Sequence, residues 1–199
     1  MTARIGVIAI QGDVEEHVIA LKKTLAERSE EGEVVRIKHR GIVDSCDAIV
    51  IPGGESTTIG RLMEREGIFQ EIKEAAEEEK PIWGTCAGMV LLAKEGYEEV
   101  AKTGQPLLGL MDVKVKRNAF GRQRESFEVL LKMSIFEEYF HAVFIRAPAI
   151  TYAADSVEVL ATLNGQIVAA KQRNILALSF HPELTEDRRI HHYFLELVS

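Results

Sequence analysis

Apolar positions along the chain change their spacing in a regular way, and the spacing predicts the order of elements. Arg4 to Ile10 is a short, β-rich apolar run, after which Gln11-Gly12-Asp13 leads into Val14, Val18, Leu21 and Leu25 at helical spacing. The alternation repeats with Val34 to Lys38, Ala48 to Ile51 ending at Pro52-Gly53-Gly54, a helix-like run from about Thr58 to Glu79, and Pro81 to Trp83. Strands alternating with helices imply an α/β domain whose parallel sheet is covered on both faces. Beyond about Leu107 the character changes to successive β-like runs: Met111 to Lys116, Phe127 to Met133, Ala142 to Arg146, Val157 to Leu163, Gln166 to Lys171 and Ile175 to Phe180. Asn164-Gly165 between two of them predicts a hairpin, because both residues tolerate the positive φ of a tight turn. A last helix is expected from roughly Glu186 to Val198.

Length and composition narrow the reading. A chain of 199 residues, 46% hydrophobic, can bury one sizeable core and is short for two, so residues 1–199 are expected to form a single domain. Lys and Arg total 24 against 31 for Asp and Glu, and the net charge of −7 argues against nucleic acid as a main partner. Ile5 to Ile10 is too short to span a membrane and no small-residue cleavage site follows, so a cytoplasmic location without membrane attachment is expected. Cys46 and Cys86 lack a C-x-x-C or Cys/His ligand spacing, which predicts neither a metal site nor a disulfide framework. Glu71 to Lys80 reads as a solvated helix face.

The candidate chemistry centres on Cys86. Pro81-Ile82-Trp83 runs into Gly84-Thr85-Cys86-Ala87-Gly88, and Met89 to Lys94 resumes a helical pattern, so the cysteine occupies a G-x-C-x-G elbow between strand and helix. Such an elbow strains the backbone of its nucleophile, and bulky neighbours two residues away would collide with strand or helix. Unpaired amides at a helix start favour an anionic sulfur, the attacking species. The competing reading is a buried structural cysteine between packing glycines.

A thiol nucleophile needs a base. Among six histidines, His181 in Ser179-Phe180-His181-Pro182-Glu183 is the best candidate. If the segment is extended, residues i and i+2 share a side, so Glu183 would fix the imidazole's tautomer and support its charge. His17, His191 and His192 fall on helices and read as surface or packing residues, while His39 and His141 have no supporting pattern. Pro52-Gly53-Gly54-Glu55-Ser56-Thr57 lacks the Gly-Lys-Ser/Thr ending of a phosphate loop. Bare backbone beside a nucleophile can instead turn amides toward a developing oxyanion. In a doubly wound sheet these loops would meet at the carboxyl ends of neighbouring strands.

Taken together, these residues resemble a class I glutamine amidotransferase domain. More narrowly, Ala9 to Asp13, Pro52 to Thr57, Gly84 to Gly88, Arg117 to Gln123, Phe144 to Pro148 and Ser179 to Thr185 resemble the PdxT/SNO family of glutaminase subunits of pyridoxal 5′-phosphate synthase. The resemblance implies a three-layer, flavodoxin-like α/β fold with a mainly parallel central sheet and a β-rich C-terminal half. It implies Cys86 as nucleophile with His181 and Glu183, Gly54, Glu55 and Ser56 as a glutamine-binding loop, and Arg117, Ile145 and Arg146 as further glutamine contacts. An arginine suits a substrate carboxylate because its planar fork offers paired donors. Amides of Gly54 and Ala87 would form the oxyanion hole. L-Glutamine is the implied substrate, a barrel-shaped synthase subunit the implied partner in a hetero-oligomer, and no cofactor is implied. The charged stretch Glu27 to Glu33 departs from the family pattern but touches no triad motif. Two rival readings keep the fold: a cysteine hydrolase of peptidase or deglycase type, which would act without a partner, and a non-catalytic binding module, against which the intact Cys86, His181 and Glu183 argue.

Overall fold

The computed structural model describes residues 2–121 and 125–198, so Arg122 and Gln123 of the Arg117 to Gln123 motif lie outside the described residues. The N-terminal half follows the expected alternation: β1 (Ala3–Ile8), α1 (Val14–Glu27), β2 (Gly32–Ile37), β3 (Ala48–Ile51), α2 (Ser56–Arg65), α3 (Ile68–Glu77), β4 (Ile82–Thr85) and α4 (Ala87–Leu92). The remainder is mostly strand: β5 (Ala93–Gly96), then α5 (Glu98–Thr103), β6 (Met111–Lys116), β7 (Ser126–Leu131), β8 (Phe140–Ile145), β9 (Ala149–Ala153), β10 (Glu158–Leu163), β11 (Gln166–Gln172), β12 (Ile175–Leu178) and the closing helix α6 (Arg189–Glu196).

Strands β2, β1, β3, β4 and β12 lie side by side in that order, every neighbouring pair parallel. This is the doubly wound, flavodoxin-like order, with β12 supplied from the far end of the chain as the fifth strand. From β12 the sheet continues antiparallel through β11, β9 and β6, with β10 on β11 and β5 parallel to β6, while β7 and β8 form a separate antiparallel pair. The β-rich C-terminal half thus extends the parallel sheet. Asn164 and Gly165 join β10 to β11 with φ of 50° and 77°, the double positive φ of the expected hairpin turn.

Alternation along the central strands divides the core. Ile5 and Val7 of β1, with Ala48 and Val50 of β3, pack with Leu21 of α1 and Phe194 of α6, whereas Ile8, Ile49 and Ile51 pack with Ile59 of α2 and Ile72 of α3. Leu21 and Ile59 are fully buried, and each such side chain contributes about 1.5–3 kcal/mol. Helices of ten to fourteen residues are marginal alone, so these apolar stripes hold them in place.

Several boundaries differ from the expected ones. β1 stops at Ile8, and the single helix expected over Thr58 to Glu79 is two, separated at Gly67, whose φ of 74° reverses the chain. Apolar spacing continues across this break, so periodicity alone does not register it. The spacing also left β5, α5 and β9 unannounced: β5 and α5 together have only Ala93 and Val100 buried, and β9 is a short strand directly after Pro148. The charged segment around Glu27 to Glu33 is tied down on both sides. Glu27 takes Arg188 and His192 of the C-terminal region, and Glu33 pairs with Arg4. Among the described residues, no helix is long and apolar enough to cross a membrane.

Candidate active site

Four segments leave the carboxyl ends of adjacent parallel strands and meet: Gln11 to Asp13 after β1, Gly53 to Ser56 after β3, Cys86 after β4 and His181 after β12. Cys86 caps α4 with φ 50° and ψ −99°, a conformation that costs a non-glycine residue about 1–3 kcal/mol and is held only by its surroundings. Those surroundings are backbone. A Cβ on Gly84 would lie 2.5 Å from the Gly88 carbonyl carbon, and one on Gly88 would lie 2.3 Å from the Ile51 oxygen. The Cys86 N–H donates to the Leu178 carbonyl at 2.7 Å, fastening the elbow to β12. Both glycines of the elbow are therefore required by close approach, as the motif predicts.

His181 is fixed from two sides. Its N–H donates to the Val143 carbonyl at 2.8 Å, and its Nδ1 lies 2.7 Å from Glu183 Oε1. The pair does not sit on an extended strand, however. Glu183 belongs to a 3-10 turn, Pro182–Leu184, with Pro182 at its first position, so turn geometry and not strand alternation brings the carboxylate under the ring. Burial works against a charged imidazole at His181, but hydrogen bonds with Cys86 and Glu183 outweigh it and lift its pKa to about 10. Burial would also raise Glu183, yet the His17 and His181 rings beside it bring its pKa below the ordinary carboxylate value. The arrangement favours an imidazolium between sulfur and carboxylate.

These groups open onto a cavity of about 350 Å³, which is also lined by Gly54, Glu55, Ser56, Ala87, Arg117, Ile145 and Arg146. Every expected site residue except Glu183 reaches this cavity, and Glu183 stands behind His181 with only 7% of its surface exposed. Glu55 caps α2, accepting from the Thr57 and Thr58 amides at 3.1 and 2.7 Å. Although partial burial opposes it, these bonds bring its pKa down to about 2. Arg117 Nη2 donates to Glu55 Oε1 at 3.2 Å and Nη1 to Thr57 Oγ1 at 3.3 Å, so the guanidinium is aimed across the mouth of the loop. The Cys86 sulfur lies 3.8 Å from the Ile145 carbonyl, and Arg146 next to it has a φ of 43°. Ala87 opens α4, where the first amides have no acceptor within the helix.

Three contributors stand outside the expected set of catalytic and glutamine-binding residues. Gln11 Oε1 accepts the Glu55 N–H at 2.9 Å, and Asp13 Oδ2 lies 3.5 Å from His181 Nδ1. His17, expected at the surface or in simple packing, is wholly buried with Nε2 3.5 Å from Glu183 Oε1. Its i+4 spacing from Asp13, at the start of α1, is the one signal that put both on the same helix face. Among the described residues, Asp13, His181 and Glu183 form the one grouping whose ligand-type atoms could surround a metal, all within 4.8 Å of one another, but the His181–Glu183 hydrogen bond already engages two of them.

A flavodoxin-like parallel sheet with a cysteine elbow facing a His-x-Glu turn has the architecture of the class I glutamine amidotransferases. The chain belongs to the SNO glutamine amidotransferase family, whose model matches residues 7–199. It is 63% identical to the pyridoxal 5′-phosphate synthase subunit PdxT of Methanococcoides burtonii, over 97% of this chain and 98% of that protein. The PdxT subunit of Methanocella arvoryzae is 64% identical over 98% and 97% of the two chains. A solved glutamine amidotransferase superposes with a TM-score of 0.87 at 45% identity, covering 98% of each chain.

Proposed function

We propose that this chain is the glutaminase subunit of a pyridoxal 5′-phosphate synthase, folded as one domain and working through Cys86, His181 and Glu183. The observation that carries the reading is the convergence on one cavity of a strained Cys86 and an imidazole bound at 2.7 Å to a buried carboxylate. The relatives' shared name supports the synthase assignment.

In this reading the Cys86 thiolate attacks the side-chain carbonyl carbon of L-glutamine, forming a carbon–sulfur bond and an oxyanion that the Gly54 and Ala87 amides receive. His181 gives its proton to the amide nitrogen, the carbon–nitrogen bond breaks, and ammonia leaves a γ-glutamyl thioester. Neutral His181 then takes a proton from water. The hydroxide adds to the thioester, and collapse releases glutamate and regenerates the thiolate facing imidazolium. Glu183 keeps the ring oriented through both halves. Glu55, Ser56, Arg117, Ile145 and Arg146 hold the amino-acid end of the substrate, with Arg117 suited to its carboxylate.

Ammonia released into water would be lost, so a barrel-shaped synthase subunit docked in a hetero-oligomer is the consumer, in a cytoplasmic setting without membrane or nucleic acid. The test is glutamate release from glutamine in the presence of the synthase subunit, repeated with Cys86→Ala. Release should be abolished in the variant, and a glutamine-analogue adduct should map to Cys86. Labelling at Cys46, or turnover of peptides with no partner, would overturn the assignment.

A further inference from the structure

Behind the catalytic groups, on the side away from the cavity, lies a second layer of polar side chains for which the mechanism as described has no use. His17 on α1 and Glu183 have fully buried side chains, and His17 Nε2 is 3.5 Å from Glu183 Oε1, the same oxygen that holds His181. Trp83 on β4 makes T-shaped ring contacts with His17 at 5.3 Å between centroids and with His191 of α6 at 5.0 Å. Both nitrogens of His17 and the second oxygen of Glu183 are buried without a hydrogen-bond partner among the described residues, a condition that native interiors rarely leave unexplained.

We propose that His17 is a positioning residue of the relay, donating its Nε2 hydrogen to Glu183 and holding that carboxylate ionised and oriented while His181 is neutral. The inference rests on the reading of Cys86, His181 and Glu183 given above. In the free enzyme, Glu183 faces an imidazolium. Once ammonia has departed with that proton, the sulfur is acylated, His181 is uncharged, and Glu183 retains a buried charge that has lost its cation.

Charged and titratable groups on the neighbouring elements leave His17 as the compensating partner. Asp13 and Glu16 at the start of α1 are acidic and of like sign, and His191 across Trp83 is kept neutral by burial, its pKa lowered to about 3. Burial likewise lowers the pKa of His17, so it acts as a neutral ring with one N–H and one lone pair. A lone pair turned toward the carboxylate would be repelled, so the hydrogen belongs on Nε2. The contact at 3.5 Å is long, as relay contacts are before substrate tightens them.

The test compares His17→Phe, which keeps a ring against Trp83 and removes the donor, with His17→Gln, which returns an N–H. Each is assayed with the synthase subunit, and Trp83, the one tryptophan, reports the fold by fluorescence. Loss of one hydrogen bond to a charged group predicts that His17→Phe lowers kcat about ten- to hundredfold. Thioester should accumulate in rapid-quench mass spectrometry, and the acid limb of kcat should move up by about one pH unit, because an uncompensated Glu183 grips the His181 proton harder. His17→Gln should recover most of the loss. Wild-type kcat and acid limb in a folded His17→Phe, or equal slowing of both steps with an unmoved pH profile, would overturn the proposal. Should His17→Phe not fold, nitrogen-15 histidine spectra of the wild-type protein carrying a glutamine-analogue adduct decide instead: the Nε2–H tautomer at His17 upholds the proposal and the Nδ1–H tautomer overturns it. Failure of the glutaminase reading itself would appear separately, as no glutamate release by the wild-type complex.

Discussion

Gly53 offers a way to displace His181, the proposed general base, without touching it. Its φ lies outside the left-handed region, so alanine is conformationally acceptable there, yet the added Cβ would sit 2.5 Å from His181 Cε1, 3.2 Å from His181 Nδ1 and 2.9 Å from Asp13 Oδ2. The nearest contact is about 0.9 Å short of the 3.4 Å at which ordinary packing begins. Asp13 is partly exposed and can swing away; His181 is buried, with its backbone bonded to Val143 and its ring to Glu183, and cannot. The imidazole therefore moves by most of that shortfall, and a misplacement of about 1 Å in a catalytic group costs on the order of a hundredfold in rate. Stability should change little, since Gly→Ala at a compatible position stabilises by about 0.4–1 kcal/mol through the unfolded chain, offsetting part of the strain. The assay is steady-state glutamate release by Gly53→Ala with the synthase subunit, alongside thermal melting. A kcat within twofold of wild type would refute the argument, because it would mean the ring is not wedged against this loop.

Two further outcomes follow from the same geometry. Glu55→Ala removes the cap of α2 and a partner of Arg117, so it should cost about 1 kcal/mol in urea unfolding and raise KM for glutamine more than it lowers kcat. His181 has a folded pKa of about 10, above its unfolded value near 6.5, so the stability it contributes is fully present below about pH 6.5 and is lost as pH rises toward 10. The melting temperature of the wild type should therefore fall relative to His181→Gln across that window, and parallel curves would contradict the assigned ion pairing.

The buried groups around Trp83 also bear on how the site is kept in shape. Glu183, His17 and His191 are ionisable residues packed into the core contributed by α1, β4 and α6. Lone buried ionisable groups are costly unless paired or neutral, which is why both histidines have lowered pKa values while Glu183 stays charged between two rings. The proposed catalytic surface and the core behind it are thus one electrostatic unit.

Much of this molecule was legible before folding. Strand and helix alternation, the Asn164-Gly165 turn, the glycine-flanked Cys86 and the proximity of His181 to Glu183 are all properties of neighbouring residues, and local sterics enforce them. Residue order alone names the side chains able to do chemistry and the doubly wound sheet that carries them. What it left open depends on partners far along the chain. The insertion of β12 beside β4 and the burial of His17 against Glu183 are decided by packing between segments that are remote in sequence. Apolar periodicity reports that a residue faces inward and not what it meets there, so only the tertiary structure could turn an inward-facing histidine on the first helix into a neighbour of a carboxylate 166 positions away.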